Sequence, residues 1–83
     1  MSRTHFKVSR LLIAAYWIYN PTSKGFIQPL SIRFHSTATD RRTLNDIAAR
    51  YAREEGIVWD MIIITDVNNV EVSRRVRKSL III

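Results

Sequence analysis

The chain contains no cysteine. Disulfide staples, thiol catalysis and cysteine-ligated zinc are excluded, so a domain of 83 residues must draw its stability from apolar burial. Glycine and proline occur twice each, too rarely for a collagen-like or linker-like chain. With only Gly25 and Gly56 present, no glycine-rich loop can cradle a dinucleotide or nucleoside triphosphate, and no serine stands in a nucleophile-elbow setting. Long apolar runs are missing too: none reaches the ~18–20 residues needed to span a bilayer. Leu11 to Tyr19, behind Arg3, His5, Lys7 and Arg10, has the outline of an export signal. Tyr19-Asn20-Pro21 follows where a small-residue cleavage site belongs, so the stretch reads as a buried strand and the expected location is cytoplasmic.

What remains is apolar and basic. Apolar residues make up 47% and charged residues 24%, which excludes a disordered tail and predicts a single domain over residues 1–83. Thirteen Lys and Arg face seven Asp and Glu, a net charge of +6. Ten of the thirteen are arginine, whose planar guanidinium suits phosphate and carboxylate. Such a body attracts nucleic acid or an acidic protein face.

Periodicity predicts the order strand, strand, helix, strand, strand. Residues 6–19 and 26–35 are rich in β-branched and aromatic residues and flank the turn formers Asn20-Pro21-Thr22-Ser23-Lys24-Gly25, as in a hairpin. Pairing Tyr19 with Phe26 sets Leu11, Ile13, Ala15, Trp17 and Tyr19 on one face with Phe26, Leu30, Ile32 and Phe34. Pro29 cannot donate to a ladder, so the second strand is expected to be an edge or to carry a bulge there. Residues 43–56 change to helical spacing through Leu44, Ile47, Ala48 and Tyr51, with Thr43 as N-cap and Gly56 as the stop. Ile57 to Val67 reads as a strand turning at Asn68-Asn69. Pairing Val67 with Val70 opposes Asp60 to Arg77, and sets Asp66 against Glu71, a like-charge pair. Residues 73–83 also fit a helix face, through Val72, Val76, Leu80 and Ile83. The predicted fold is a two-layer α+β domain, order ββαββ, with one amphipathic helix on one face of a four-stranded sheet. A β-grasp arrangement, with the third strand parallel to the first, and an all-antiparallel sheet both remain open.

Catalytic constellations are lacking. His5 and His35 have no carboxylate at a useful spacing, and the carboxylates read as cap, turn and helix-surface residues. Asp60, inside an apolar strand, reads as a cross-strand partner of Arg77 or Arg33. No ligands cluster for a metal. The chain is therefore expected to be no enzyme and to carry no cofactor.

Binding has more support. The helix is nearly charge-balanced through Asp46–Arg50 and Arg50–Glu54 pairs, unlike a major-groove recognition helix. On the registers above, Arg10, Arg33, His35, Arg75 and Arg77 share the sheet face away from the helix with Tyr16. A basic sheet bearing an aromatic ring is the plan of single-strand and RNA binders, with Arg33, Arg75 and Arg77 on phosphates. Leu12, Ile18, Ile62 and Ile64 would lie on the same face, an apolar centre ringed by arginines as in a protein interface. The rival expectation is therefore a protein-binding or inhibitor module, and an edge strand able to pair with its own copy makes a homodimer expected.

The hairpin–helix–hairpin plan, the Thr43-Leu44-Asn45-Asp46 start, the Gly56 stop and the Asn68-Asn69 turn resemble the layout of small phage proteins, anti-CRISPR inhibitors among them. The resemblance covers element order and carries no residue motif. It implies a non-enzymatic inhibitor that docks on a nucleic-acid-handling complex through basic residues.

Overall fold

The elements form where the periodicity changes. The computed structural model describes residues 8–77. They run β1 (Arg10–Asn20), β2 (Gly25–Ser36), α1 (Arg41–Glu55), β3 (Met61–Asp66) and β4 (Glu71–Val76), the expected α+β order. All neighbours pair antiparallel in the sheet order β2-β1-β3-β4. Because β3 runs antiparallel to β1, the β-grasp arrangement is excluded. β2 and β3 instead lie parallel on either side of β1, joined by the helical crossover. Residues up to Val76 are strand, against the helical alternative; the rest of that question, from residue 78, lies outside the described residues.

Both hairpins depart from simple ladders by one residue. Tyr19 pairs with Phe26 as the pattern predicts, but Tyr16 pairs with Leu30, so Gln28 and Pro29 stand opposite Trp17 alone. Pro29 has no N–H to lose from the ladder, and the bulge sits on an edge strand. In the second hairpin Met61 to Ile64 keep the predicted partners Val76 to Ser73, after which Thr65 pairs with Glu71. That shift separates Asp66 from Glu71. The freed Asp66 carboxylate accepts the backbone N–H groups of Asn68 at 2.8 Å and Val70 at 3.0 Å. Asn69 takes the left-handed conformation with φ 64°, as asparagine in a tight turn can.

The helix starts earlier than Thr43. Asp40 is the N-cap, accepting the Thr43 backbone N–H at 2.9 Å and its hydroxyl at 2.7 Å. The same bonds hold the Asp40 carboxyl below the usual carboxylate range. Asp outranks Thr as a cap, and the two now act together. At the other end Gly56 adopts φ 68°, ψ 28°, and Ile57 donates to the Ala52 carbonyl at 2.8 Å. Nothing lies within 4 Å of a methyl placed on either glycine, so backbone conformation alone separates them. Gly56→Ala should cost about 1 kcal/mol in a denaturant titration, whereas Gly25→Ala should be near neutral.

The face that α1 buries is Leu44, Asn45, Ala48 and Ala52. Ile47 and Tyr51, expected in that stripe, are 38% and 39% exposed. Two alanines one turn apart let the helix approach the sheet closely, and the larger side chains move to the flank. Beneath them Leu12, Ala14, Tyr16, Ile62 and Ile64 are fully buried. The Tyr16 hydroxyl donates to the Ala48 carbonyl at 2.7 Å. Burial, helped by nearby Tyr51, pushes its pKa up to about 12. The Asn45 amide donates to the Ser73 hydroxyl and, at 3.1 Å, to the Arg41 carbonyl, tying the first helical turn to β4.

Candidate binding face

Side-chain alternation divides the sheet into two faces, and the helix covers the one expected to be bare. The correction is direct: Tyr16, Leu12, Ile62 and Ile64 are fully buried under α1 and present nothing to a partner. Ile18, in the same set, is half-buried opposite Ile27. Arg10 and Arg75 also belong to the helix side. Arg10 donates to the Ala38 carbonyl at 3.3 Å, and Arg75 reaches Asp46 on α1 at 3.4 Å. Arg77 lies 4.0 Å over the Trp59 ring and donates to the Trp59 carbonyl, a cation–π contact that fixes the end of β4. Of the residues expected to make one basic surface, only Arg33 and His35 stand on the helix-free face. They got there through the Pro29 bulge, which sets Arg33 opposite Ile13 and His35 opposite Leu11.

The helix-free face is nonetheless apolar in the middle and charged at its flanks, with a different set of residues. β1 contributes Leu11, Ile13, Ala15, Trp17 and Tyr19, all half-buried. Ile63 lies beside Ala15, Thr65 beside Ile13 and Met61 beside Trp17. On one flank β2 carries the exposed Arg33 and His35. On the other, β4 carries Arg74, whose guanidinium bonds Glu71 at 2.7 Å; that bond pushes the Glu71 carboxyl down and the Arg74 guanidinium up.

One end of this face is aromatic. Tyr19 and Phe26, paired across β1 and β2, meet edge to face with ring centroids 5.4 Å apart. Trp17 precedes them on the same face, and its indole N–H is buried without a partner among the described residues. The apolar pattern groups these three rings on the face expected to meet the helix. The signal that could have freed them is Ala14 between Leu12 and Tyr16 together with Ser73 across β3: small side chains on one face leave room for a helix.

Asp60 stands opposite Arg77 as the register predicts, but they meet through the backbone and the carboxylate has another partner. Its Oδ2 accepts the Tyr19 backbone N–H at 2.8 Å, its own N–H donates to the Trp17 carbonyl at 2.7 Å, and its carbonyl accepts the Arg77 N–H at 2.9 Å. The carboxylate thus substitutes for a ladder carbonyl where β3 has not yet begun. His35 sits at the opposite end of β1, beside Leu11. Among the described residues no group of three or more His, Asp or Glu could hold a metal ion, and no helix is long and apolar enough to cross a membrane. Compared with protein-family models, curated proteins and solved structures, the chain matches none.

Proposed function

We propose that this chain is a non-catalytic binding module whose helix-free sheet face engages single-stranded nucleic acid, alone or within a nucleoprotein complex. The observation that carries the reading is the grouping of Trp17, Tyr19 and Phe26 on the uncovered face, with Arg33 and His35 along its edge. Rings on a sheet offer π-faces to unstacked bases, and adjacent cations follow the phosphates. The net charge of +6 draws a polyanion toward that face. This platform is broader than the single Tyr16 that the sequence pattern offered.

A labelled pyrimidine oligonucleotide titrated at several salt concentrations tests the reading. Log affinity should fall linearly with log salt, by about 0.7 for each phosphate neutralised. Phe26→Ala removes an exposed ring and should weaken binding roughly 5- to 150-fold, the range of one base–aromatic stack. Arg33→Glu should weaken it further and flatten the salt slope, while Arg50→Glu, on the helix, should change little beyond the loss of general charge. Unchanged affinity in both Phe26→Ala and Arg33→Glu would overturn the proposal.

A second reading has its own support. Leu11, Ile13 and Ile63 are aliphatic, and three of the expected arginines are engaged within the chain. That composition suits a protein partner that meets the apolar centre and sets carboxylates against Arg33 at its rim, with the chain as an assembly or inhibitor module. Such a complex would leave the oligonucleotide titration flat and instead be lost in Ile13→Lys.

A further inference from the structure

The second uncovered surface belongs to β2. The helix packs over β3 and β4, so the helix side of β2 overhangs it. Ile27 is 52% exposed and Leu30 40%. Between Ile32 and Phe34 on the strand and Ile47, Ala48 and Tyr51 on the helix lies an apolar cleft of about 110 Å³. Among the described residues β2 is also an edge of the sheet, twelve residues long, and a bare edge is a template for another strand. The bulge and Pro29 protect its first half; Leu30 to Ser36 keep an unbroken register with β1.

We infer that this half of β2 pairs antiparallel with β2 of a second copy, on a two-fold axis through Ile32, joining two sheets into one of eight strands. Symmetry restricts the choice. A dyad perpendicular to the sheet keeps each face on its own side, so the pairing must be centred on a residue. Centring on Arg33 would set that guanidinium against its own copy, which is unfavourable. Centring on Ser31 draws Pro29 and the bulge into the ladder. Centring on Phe34 opposes Ile32 to Ser36. Centring on Ile32 pairs Leu30 with Phe34 of the partner and Ile32 with itself on the helix side, and Ser31 with Arg33 on the other side. Every helix-side pair is then apolar, and no like charges meet. The two clefts come together over the dyad, where Ile47 and Tyr51 of each copy flank the joined strands. The helix-free face stays open, so this association and nucleic-acid binding do not exclude each other.

Because each copy carries +6, salt should act oppositely on the two events. Added salt screens the repulsion between copies and should strengthen self-association, while it weakens binding to a polyanion. Light scattering on the full chain should give twice the 9.7 kDa protomer mass at high salt, and the protomer mass at high salt for Leu30→Glu with unchanged circular dichroism. The absence of cysteine makes single-thiol variants clean probes of register. Ile32→Cys should form an interchain disulfide on mild oxidation, since directly opposed Cα atoms in an antiparallel ladder lie about 4.5–5.5 Å apart; Thr22→Cys, in the turn, should not. A protomer mass at every salt concentration would overturn the inference. So would a dimer that survives Leu30→Glu, or Ile32→Cys cross-linking no faster than Thr22→Cys.

Discussion

Ile62→Lys should abolish folding. Ile62 is fully buried, and its neighbours are Tyr16 on β1 and Arg75 on β4. The ammonium would have to enter an apolar layer between sheet and helix. An uncompensated buried charge costs several kcal/mol, against a total stability of roughly 4–12 kcal/mol for a chain of this length. Ile62 has no exposed surface, so burying the flexible stem does not by itself return the ammonium to water. The conservative Ile62→Val should cost only about 0.5–1.5 kcal/mol and keep the fold. Circular dichroism and a urea titration distinguish the cases: loss of the cooperative transition in Ile62→Lys, and a shifted midpoint with unchanged slope in Ile62→Val. A folded Ile62→Lys would place this residue on a free surface and invert the two faces of the sheet.

Alkaline pH should destabilise the protein through Tyr16. Its pKa stands at about 12 in the folded chain and near 10 when exposed, so folding favours the protonated phenol. Below pH 10 both states keep the proton and the contribution is complete. Between pH 10 and 12 the unfolded chain ionises while the folded one holds its proton, and stability falls as pH rises. Two pH units correspond to about 2–3 kcal/mol. Tyr16→Phe loses the bond to the Ala48 carbonyl, about 0.5–1.5 kcal/mol at neutral pH, but should be free of this component. The check is the difference between wild type and Tyr16→Phe in denaturant midpoints across pH 9–12. It should narrow or reverse as pH rises; a constant difference would mean that the hydroxyl ionises freely.

Local chemistry made the elements legible. The Asn-rich turn, the helix stop at Gly56 and the change of period between strands and helix each reflect a few neighbouring residues, and the structure places them as expected. The β3–β4 register was readable for the same reason from Met61 to Ile64, but not the shift beyond it that pairs Thr65 with Glu71. Pro29 announces the bulge but not its effect: one extra residue moves Leu30, Ile32 and Phe34 to the opposite face from Leu11 and Ile13. Which face the helix covers is harder to read. Leu11-Ile13-Trp17 and Leu12-Tyr16-Ile18 are similarly apolar, so hydrophobicity could not decide between them. Close packing decides, through Ala48 and Ala52 in one core with Ala14 and Asn45 against Ser73, and that is a property of the assembled layers. The arginines followed the same logic. Arg75 and Arg77 look like free cations in the sequence because Asp46 and Trp59, their partners, lie 29 and 18 residues away.

The central proposal is that single-stranded nucleic acid binds the face carrying Trp17, Ile13 and Ile63, which the other described residues leave uncovered. Mapping amide and indole NMR shifts during titration with a single-stranded pyrimidine oligonucleotide tests it most directly. The Trp17 indole and the amides of Leu11, Ile13, Phe26, Arg33 and Ile63 should move together and saturate, while those of Arg50 and Arg53 on the helix stay in place. Shifts confined to α1, or none at saturating oligonucleotide, would contradict the account.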